Sequence, residues 1–280
     1  MPPLKIFVAG ATGVVGRRLV PLLARAGHEV VGTTRSPERA QTLADQHATP
    51  VVVDVLDAGA LTEALAEHAP DVVIHQLTDL SAEDFAANSR LRIDGTRNLV
   101  DAARAAGVQK MIAQSISWIY QPGTTPATED DPLDPSLPPY GGIAALEEAV
   151  GEMPEGVVLR YGAFYGPGTW YAPDGAIAER VHAGALSLTP SWTCFVHVDD
   201  AASAAVAALD WPAGPVNIVD DEPATAAEWL PVYSAALGAP TPPTARHAAP
   251  LGRPVSNARA RELGWKPRLE SWREGFSDLG

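Results

Sequence analysis

Short apolar runs alternate with longer amphipathic stretches over the first 160 residues or so. The runs Leu4–Ala9, Glu29–Thr34, Val51–Val55, Asp71–Gln76, Val108–Ser115 and Gly156–Tyr161 read as strands. Between them apolar positions recur at helical spacing, as in Leu19, Val20, Leu22 and Leu23. Strands that alternate with helices of about ten residues or more predict an α/β fold with a doubly wound parallel sheet. Two helix ends are legible: Ser36-Pro37 has the form of an N-cap followed by proline, and Ala106-Gly107 closes the helix that runs through Thr96–Ala103. Past Tyr161 the alternation breaks into Pro, Gly and Trp, as in Tyr165-Gly166-Pro167-Gly168-Thr169-Trp170-Tyr171. A strand over Cys194–Val198 and an alanine-rich helix over Ala201–Leu209 read as returns to the core. The expected organisation is a core of residues 1–160 and about 194–219, with a discontinuous lobe from about 161–193 and 220–280.

Between the first strand and the first helix stands Gly10-Ala11-Thr12-Gly13-Val14-Val15-Gly16. Gly10 permits a tight turn at positive φ, Gly13 admits close approach of a pyrophosphate, and Gly16 lets the helix pack tightly. The free amides of the helix start then face the phosphates. In this strand–turn–helix context the motif predicts a dinucleotide cradle built from Gly10, Thr12, Gly13, Val14, Val15 and Gly16; an ordinary β–turn–α is the alternative. The second strand ends Thr34-Arg35-Ser36, with no carboxylate before Glu38. An acidic residue there would accept from a ribose 2′-hydroxyl, whereas Arg35 and Ser36 suit a 2′-phosphate, so NADP(H) is expected ahead of NAD(H). Arg35 lying in solvent is the alternative. Asp54 and Val55 after the third strand, and Gln76 and Leu77 after the fourth, complete the expected cofactor contacts. Asp54 is either an acceptor for the adenine amino group or a loop residue before a helix cap at Asp57.

Composition narrows the partners. Twenty basic against 34 acidic residues, a net charge of −14, disfavour nucleic acid and anionic membranes. The single cysteine, Cys194, leaves no internal disulfide and reads as a buried thiol. With no apolar run of about 18 residues and no signal-like start, a cytoplasmic protein is expected. His197, Asp199 and Asp200 read as residues around a helix start, with the carboxylates capping it, and no metal site is expected.

Further segments carry a resemblance: Asp71-Val72-Val73-Ile74-His75, Gly95-Thr96-Arg97-Asn98-Leu99, Glu129-Asp130-Asp131-Pro132-Leu133, Tyr140-Gly141 with Glu147, Leu159-Arg160-Tyr161-Gly162, Phe195-Val196-His197-Val198-Asp199-Asp200 and Glu262-Leu263-Gly264-Trp265. In this order they resemble the extended short-chain dehydrogenase/reductase superfamily, of the NAD-dependent epimerase/dehydratase type, and more narrowly an atypical branch of it. The resemblance spans nearly the whole chain. It implies a Rossmann core, a small C-terminal substrate lobe, a nicotinamide held between them and a small-molecule substrate. Many relatives dimerise through the helices that correspond to Thr96–Ala106 and Tyr140–Gly151; the apolar faces of these segments would suit that pairing or inward packing equally. Active members carry a Tyr, a Lys four residues later and a Ser or Thr at the end of the fifth strand. The phenol moves a proton at a substrate oxygen, the ammonium lowers the phenol pKa and holds the ribose, and the hydroxyl polarises the same oxygen.

Tyr140 occupies the position of that Tyr, but Ala144 stands where the Lys belongs, and the only lysines are Lys5, Lys110 and Lys266. A phenol without such help titrates near pH 10, so only about one in a thousand is ionised at pH 7. Proton abstraction from an alcohol suffers more from this than proton donation to a developing alkoxide or enolate. Ile116 falls at the hydroxyl position, between Ser115 and Ser117, and either serine could serve. Arg92 stands where relatives often carry Asn. Trp118, Tyr120, Phe164, Trp170, Tyr171 and Trp192 point to an apolar or aromatic substrate, or in part to core cover. The expected activity is NADP(H)-dependent reduction of a carbonyl or enone, with Tyr140 as acid assisted by Ser115 or Ser117; Tyr140 as a substrate or cofactor-ribose hydrogen-bond donor without proton transfer, or as a packed helix aromatic, are the alternatives. The rivals are an epimerase or dehydratase with a recycled cofactor and a dinucleotide-binding regulator without turnover.

Overall fold

The computed structural model describes residues 2–78 and 85–277. The strands are β1 (Lys5–Ala9), β2 (Glu29–Thr34), β3 (Ala48–Val52), β4 (Val72–His75), β5 (Lys110–Ile116), β6 (Glu155–Tyr161), β7 (Ala163–Tyr165), β8 (Trp192–Thr193), β9 (Phe195–His197), β10 (Gly214–Ile218) and β11 (Ala224–Thr225). The longer helices are α1 (Gly16–Arg25), α2 (Ala40–Asp45), α3 (Ala58–His68), α4 (Phe85–Arg90), α5 (Thr96–Ala105), α6 (Tyr140–Gly151), α7 (Ala176–His182), α8 (Val198–Ala207), α9 (Ala226–Ala236), α10 (Ala258–Glu262) and α11 (Trp272–Ser277). Seven strands form one sheet in the order β10-β6-β5-β4-β1-β2-β3, with parallel pairing from β5 to β3. The expected doubly wound sheet is therefore present, and its strand order reverses between β1 and β4.

Cα packing divides the chain into two compact units. The first comprises Met1–Ser115, Pro135–Leu159 and Ala202–Pro215. Its core joins Phe7, Val31, Val73 and Met111 of the strands to Leu61 and Leu65 of α3, Leu99, Val100 and Ala103 of α5, and Leu146 and Val150 of α6. Inward packing thus accounts for the apolar faces of α5 and α6. At one end of that helix pair Arg97 and Arg104 both reach Glu152, at 2.6 and 2.9 Å. Helices α4 and α5 are joined by a π-helical turn over Leu91–Gly95, which nothing in the apolar spacing announces.

The second unit comprises Ile116–Asp134, Arg160–Ala201 and Val216–Gly280. Two short sheets, β7 beside β9 and β8 beside β11, lie in it. Its core is aromatic: Tyr165, Phe195, Trp229, Tyr233, Trp272 and Phe276. Tyr171 belongs to the same packing, with ring centres 5.2 Å from Phe195, 5.6 Å from Trp229 and 5.8 Å from Tyr233. Such pairs add roughly 0.5–1.5 kcal/mol each beyond area burial. Cys194 is buried, and desolvation pushes its thiol up to about 12, so it is a packed thiol rather than a nucleophile. No helix among the described residues is long and apolar enough to cross a membrane.

Three local expectations need correction. The third strand is Ala48–Val52, three residues before the expected Val51–Val55. It is an edge strand, so Pro50 is tolerated in it and Val52 stays 51% exposed; the most apolar run is not the paired one. The expected strand Cys194–Val198 is shortened to β9, with the two-residue β8 just before it, and α8 begins at Val198, so Asp199 and Asp200 lie inside its first turn. Ser36 makes no side-chain cap; its hydroxyl donates to the Glu38 carboxylate.

Candidate functional site

The glycine turn closes as its spacing requires. Gly10 has φ +86°, and a Cβ there would sit 2.7 Å from the Gln76 carbonyl oxygen. A Cβ on Gly16 would meet the Gly10 oxygen at 2.2 Å, so the start of α1 rests directly on the turn. The Gly13 N–H donates to the Gly10 oxygen at 3.0 Å, and Gly13 itself lies exposed. Thr12 and Val14 flank it half-buried, while Val15 packs inward at 2% exposure and can offer a ligand only its backbone. Val15 caps α1 without a side-chain bond, and the first turn carries no acidic residue. The Arg17 and Arg18 N–H groups donate to the Gly13 and Val15 oxygens, both at 3.0 Å, so the start of α1 offers an anion the positive end of its dipole.

Around this turn the other expected cofactor residues divide. Arg35 is exposed after β2. The Ser36 hydroxyl is held by Glu38, whose carboxyl lies below its ordinary range chiefly because of that bond. Asp54 closes a turn by accepting from the Leu56 N–H at 3.0 Å, and Asp57 caps α3 by accepting from the Ala60 N–H at 3.0 Å. Val55 is buried, and its carbonyl accepts from Asn98 at 2.9 Å.

The end of β4 holds a second set of groups. Gln76 is 5% exposed, and neither its side-chain oxygen nor its nitrogen has a partner among the described residues. Leaving such atoms unpaired costs about 1–3 kcal/mol apiece, so this amide fits a ligand that would satisfy it. Half-buried Leu77 donates its N–H to His75 Nδ1 at 3.2 Å. That fixes the tautomer: His75 Nε2 carries the proton and donates to Thr96 Oγ1 at 2.9 Å. Desolvation, with Arg92 as the lesser cause, holds the His75 imidazole down at about 4, so it is a neutral structural group at pH 7. The cradle a Cβ would fill and the orphaned Gln76 amide together fit a dinucleotide.

Tyr140 opens α6, half-buried, and its hydroxyl makes no hydrogen bond among the described residues. Ala144 and Glu147 follow it on the same helical face. Glu147 accepts from the Ser115 hydroxyl at 2.6 Å, which ties this face of α6 to the end of β5. Sequence reasoning had quoted Glu147 only as part of a pattern; the signal for its contact was the spacing from Tyr140. No lysine takes the place of the missing ammonium on this helix. Lys110 donates to the Trp211 carbonyl at 2.8 Å and pairs with Glu155, and Lys5 pairs with Glu29 at 3.2 Å. Both lie at the amino ends of their strands, the opposite edge from the glycine turn.

Ser117 belongs to the second unit. It is 1% exposed, its N–H donates to the Tyr161 oxygen at 2.8 Å, and its hydroxyl has no partner among the described residues. It lines a shallow surface recess, with room for little more than a water, together with Trp118, Tyr120, Trp192, Cys194, Gly252, Arg253 and Val255. Trp118 is 48% exposed. Tyr120 is instead a buried strut: it accepts from Arg160 and donates to Asn217, both at 2.7 Å, and desolvation pushes its phenol up to about 12. Of the six expected aromatics, Tyr120 and Tyr171 are therefore core. No group of His, Cys, Asp and Glu among the described residues could hold a metal ion.

The sequence profile of the NAD dependent epimerase/dehydratase family matches residues 6–219. A 3-diazoavenalumate denitrifying reductase of a Streptomyces species is 44% identical, covering 98% of this chain and 99% of its own. UDP-glucose 4-epimerase of Mycolicibacterium smegmatis is 30% identical over 95% of this chain and 94% of its own. Among solved structures, the UDP-glucose 4-epimerase of Thermus thermophilus in complex with NAD superposes with a TM-score of 0.78 at 28% identity, covering 98% of this chain and 96% of its own.

Proposed function

Because this chain belongs to the NAD dependent epimerase/dehydratase family, we propose that it is a nicotinamide-dependent reductase of a small aromatic substrate, using NADP(H) in preference to NAD(H). One observation carries the reading: the phenol that heads α6 has Ala144 one turn on, and Lys5 and Lys110 are engaged at the other edge of the sheet. A phenol so placed is poorly suited to take a proton from an alcohol, the opening step of an epimerisation or dehydration with a recycled cofactor. It suits a reaction in which the substrate accepts hydride.

The glycine turn, the start of α1 and the Gln76 amide would hold the dinucleotide, with Arg35 toward a 2′-phosphate. A bound dihydronicotinamide supplies the hydride. For a carbonyl or enone, Tyr140 gives its proton to the developing oxyanion, while the Ser115 hydroxyl, whose single proton goes to Glu147, holds this face of α6 against the end of β5. A diazo compound, as in the Streptomyces relative's name, asks less of the protein when it is carried on an aromatic ring. A C–H bond forms at the ring carbon as the C–N bond breaks, N2 leaves with that bonding pair, and hydride and diazonium charges cancel. No oxyanion forms and no proton moves, so the lost ammonium costs nothing. The missing lysine favours this second class, and the exposed rings of Trp118 and Trp170 support an aromatic substrate.

The test is loss of reduced-nicotinamide absorbance over a panel of aryl diazonium acids, aldehydes and enones. We expect turnover with a diazonium acid, one N2 released per NADPH, and retention of the rate within about threefold in Tyr140→Phe, whereas carbonyl reduction would fall about a hundredfold or more. Isomerisation without net cofactor change would support the epimerase reading. Cofactor binding with no turnover across the panel would leave the regulator.

A further inference from the structure

The π-helical turn between α4 and α5 carries a buried guanidinium without a counter-charge. Arg92 is 6% exposed and packs beneath the first turn of α6, where a Cβ on Gly142 would lie 3.5 Å from the Arg92 Cβ. Burial lowers its pKa to about 10, which still leaves it charged at neutral pH. Its charge is felt by His75, which as a neutral imidazole cannot offset it.

Of the carboxylates on the described residues of the adjoining helices, Glu148 is exposed and the others are engaged elsewhere. Asp94 pairs with Arg90, Asp101 with Arg97, Glu152 with Arg97 and Arg104, and Glu147 accepts from Ser115. No ion pair or hydrogen bond of the Arg92 side chain occurs among the described residues. An isolated buried charge costs several kcal/mol, and a chain keeps such a cost where a ligand removes it. The orphaned Gln76 amide stands next in the chain to His75, and its carbonyl abuts the glycine turn. Arg92, whose charge is felt by His75, and the Gln76 amide that follows His75 in the chain are thus both without a partner among the described residues, and the fork of a guanidinium matches a planar or tetrahedral oxyanion.

We propose that Arg92 is an oxyanion receptor of this site, taking either a phosphate of the dinucleotide or the carboxylate of the substrate, and so returns to the first unit the positive charge that position 144 lacks. This rests on the proposed function above. The geometry that carries it is the unpartnered guanidinium beneath α6 together with the unpartnered Gln76 amide.

The experiment compares the wild type with Arg92→Met, which keeps the length of the stem without the charge, and with Arg92→Lys as the charge-retaining control. Three quantities are read: the Tm of the protein alone, the Kd for NADPH by calorimetry, and the Kd for 4-hydroxycinnamate and for its methyl ester with NADP+ present. If Arg92 awaits an anion, Arg92→Met leaves the Tm unchanged or higher, because it removes an uncompensated charge. A tenfold or greater loss of NADPH affinity assigns the receptor to the cofactor phosphate. An unchanged NADPH affinity with a tenfold loss for the acid, but not for the ester, assigns it to the substrate carboxylate. In either arm Arg92→Lys should recover part of the loss. Unchanged dissociation constants in both arms overturn the proposal, and a lowered Tm beside them makes Arg92 a packing residue. Should the wild type bind no dinucleotide, the proposed function fails on its own. The same comparison with inorganic pyrophosphate and 4-hydroxycinnamate then still decides for or against Arg92. If Arg92→Met does not fold, the Arg92→Lys constants decide alone, a loss of threefold or more in one arm supporting the receptor and unchanged values overturning it.

Discussion

Asp220 should make the second unit less stable as pH rises, the reverse of the usual carboxylate behaviour. It is 2% exposed, just past the end of β10. Its Oδ1 accepts from the Glu222 N–H at 3.2 Å, while Oδ2 has no partner among the described residues. Desolvation is the main cause that raises its pKa to about 8, and the negative charges of Glu222 and Asp221 add to it. The folded form therefore keeps its proton where the unfolded chain, with an ordinary carboxyl near 4, has lost it. Below about pH 4 both states are protonated and Asp220 has no effect; from there to about pH 8 the folded state binds the extra proton and stability falls; above about pH 8 the penalty is complete. A shift of about four units corresponds to at most roughly 6 kcal/mol, which relaxation and water entry reduce to a few. Asp220→Asn mimics the neutral acid and removes the dependence. We expect the variant to gain about 2–4 kcal/mol on the wild type between pH 5 and pH 8, or about 5–10 °C in the Tm of the second unit's transition. The assay is a thermal scan of both proteins at closely spaced pH values. The amide nitrogen left without an acceptor lowers the variant's Tm equally at every pH, so the change in the gap is the observable. A gap that stays constant from pH 5 to 9 would refute the reasoning.

Gly16→Ala places a methyl 2.2 Å from the Gly10 oxygen, a backbone atom that cannot step aside, and should cost about 1–3 kcal/mol together with a loss of NADPH affinity; an unchanged Tm and Kd would show that the turn relaxes freely. Arg35→Ser should weaken NADPH about tenfold or more and leave NADH alone, as measured by calorimetry. Glu38→Gln should act oppositely, because it releases the Ser36 hydroxyl and takes a negative charge away from the 2′-phosphate position; equal effects on both cofactors would remove the basis for the NADP(H) preference. Arg160→Met strips the buried Tyr120 hydroxyl of its donor and should lower stability by about 1–3 kcal/mol, read by urea unfolding.

The parts legible from sequence are those in which neighbours along the chain decide the outcome. Strand β2 lies at the expected Glu29–Thr34 because its apolar run is interior to the sheet and flanked by β1 and β3. The Gly10 turn closes at positive φ because only six residues separate strand from helix and the glycine spacing specifies how they fold back. Gly107, at φ +79°, closes the helix as Ala106-Gly107 suggested. The single cysteine is a packed thiol, as its apolar surroundings implied.

What failed locally failed because a distant partner intervened. Ser36 is the exception: it has the sequence of a cap, yet its hydroxyl donates to Glu38, a competitor two residues along the chain. Tyr120 and Tyr171 look like loop aromatics until Arg160, Asn217, Phe195 and Trp229 arrive from far along the chain. Ser115 and Ser117 could not be told apart by register, but one meets Glu147 and the other lines the aromatic recess.

The sequence by itself determined the parallel sheet, the order of its elements, the glycine turn and the absence of a lysine one turn after Tyr140. Each of these depends on spacing and residue type within a few turns of chain. Only the tertiary structure decided which polar groups are satisfied: the Ser115 hydroxyl engaged, Lys5 and Lys110 paired at the far edge, and Gln76 and Arg92 buried without partners. Satisfaction of a buried group depends on desolvation and on atoms brought from remote segments, and neither is written in the order of the residues.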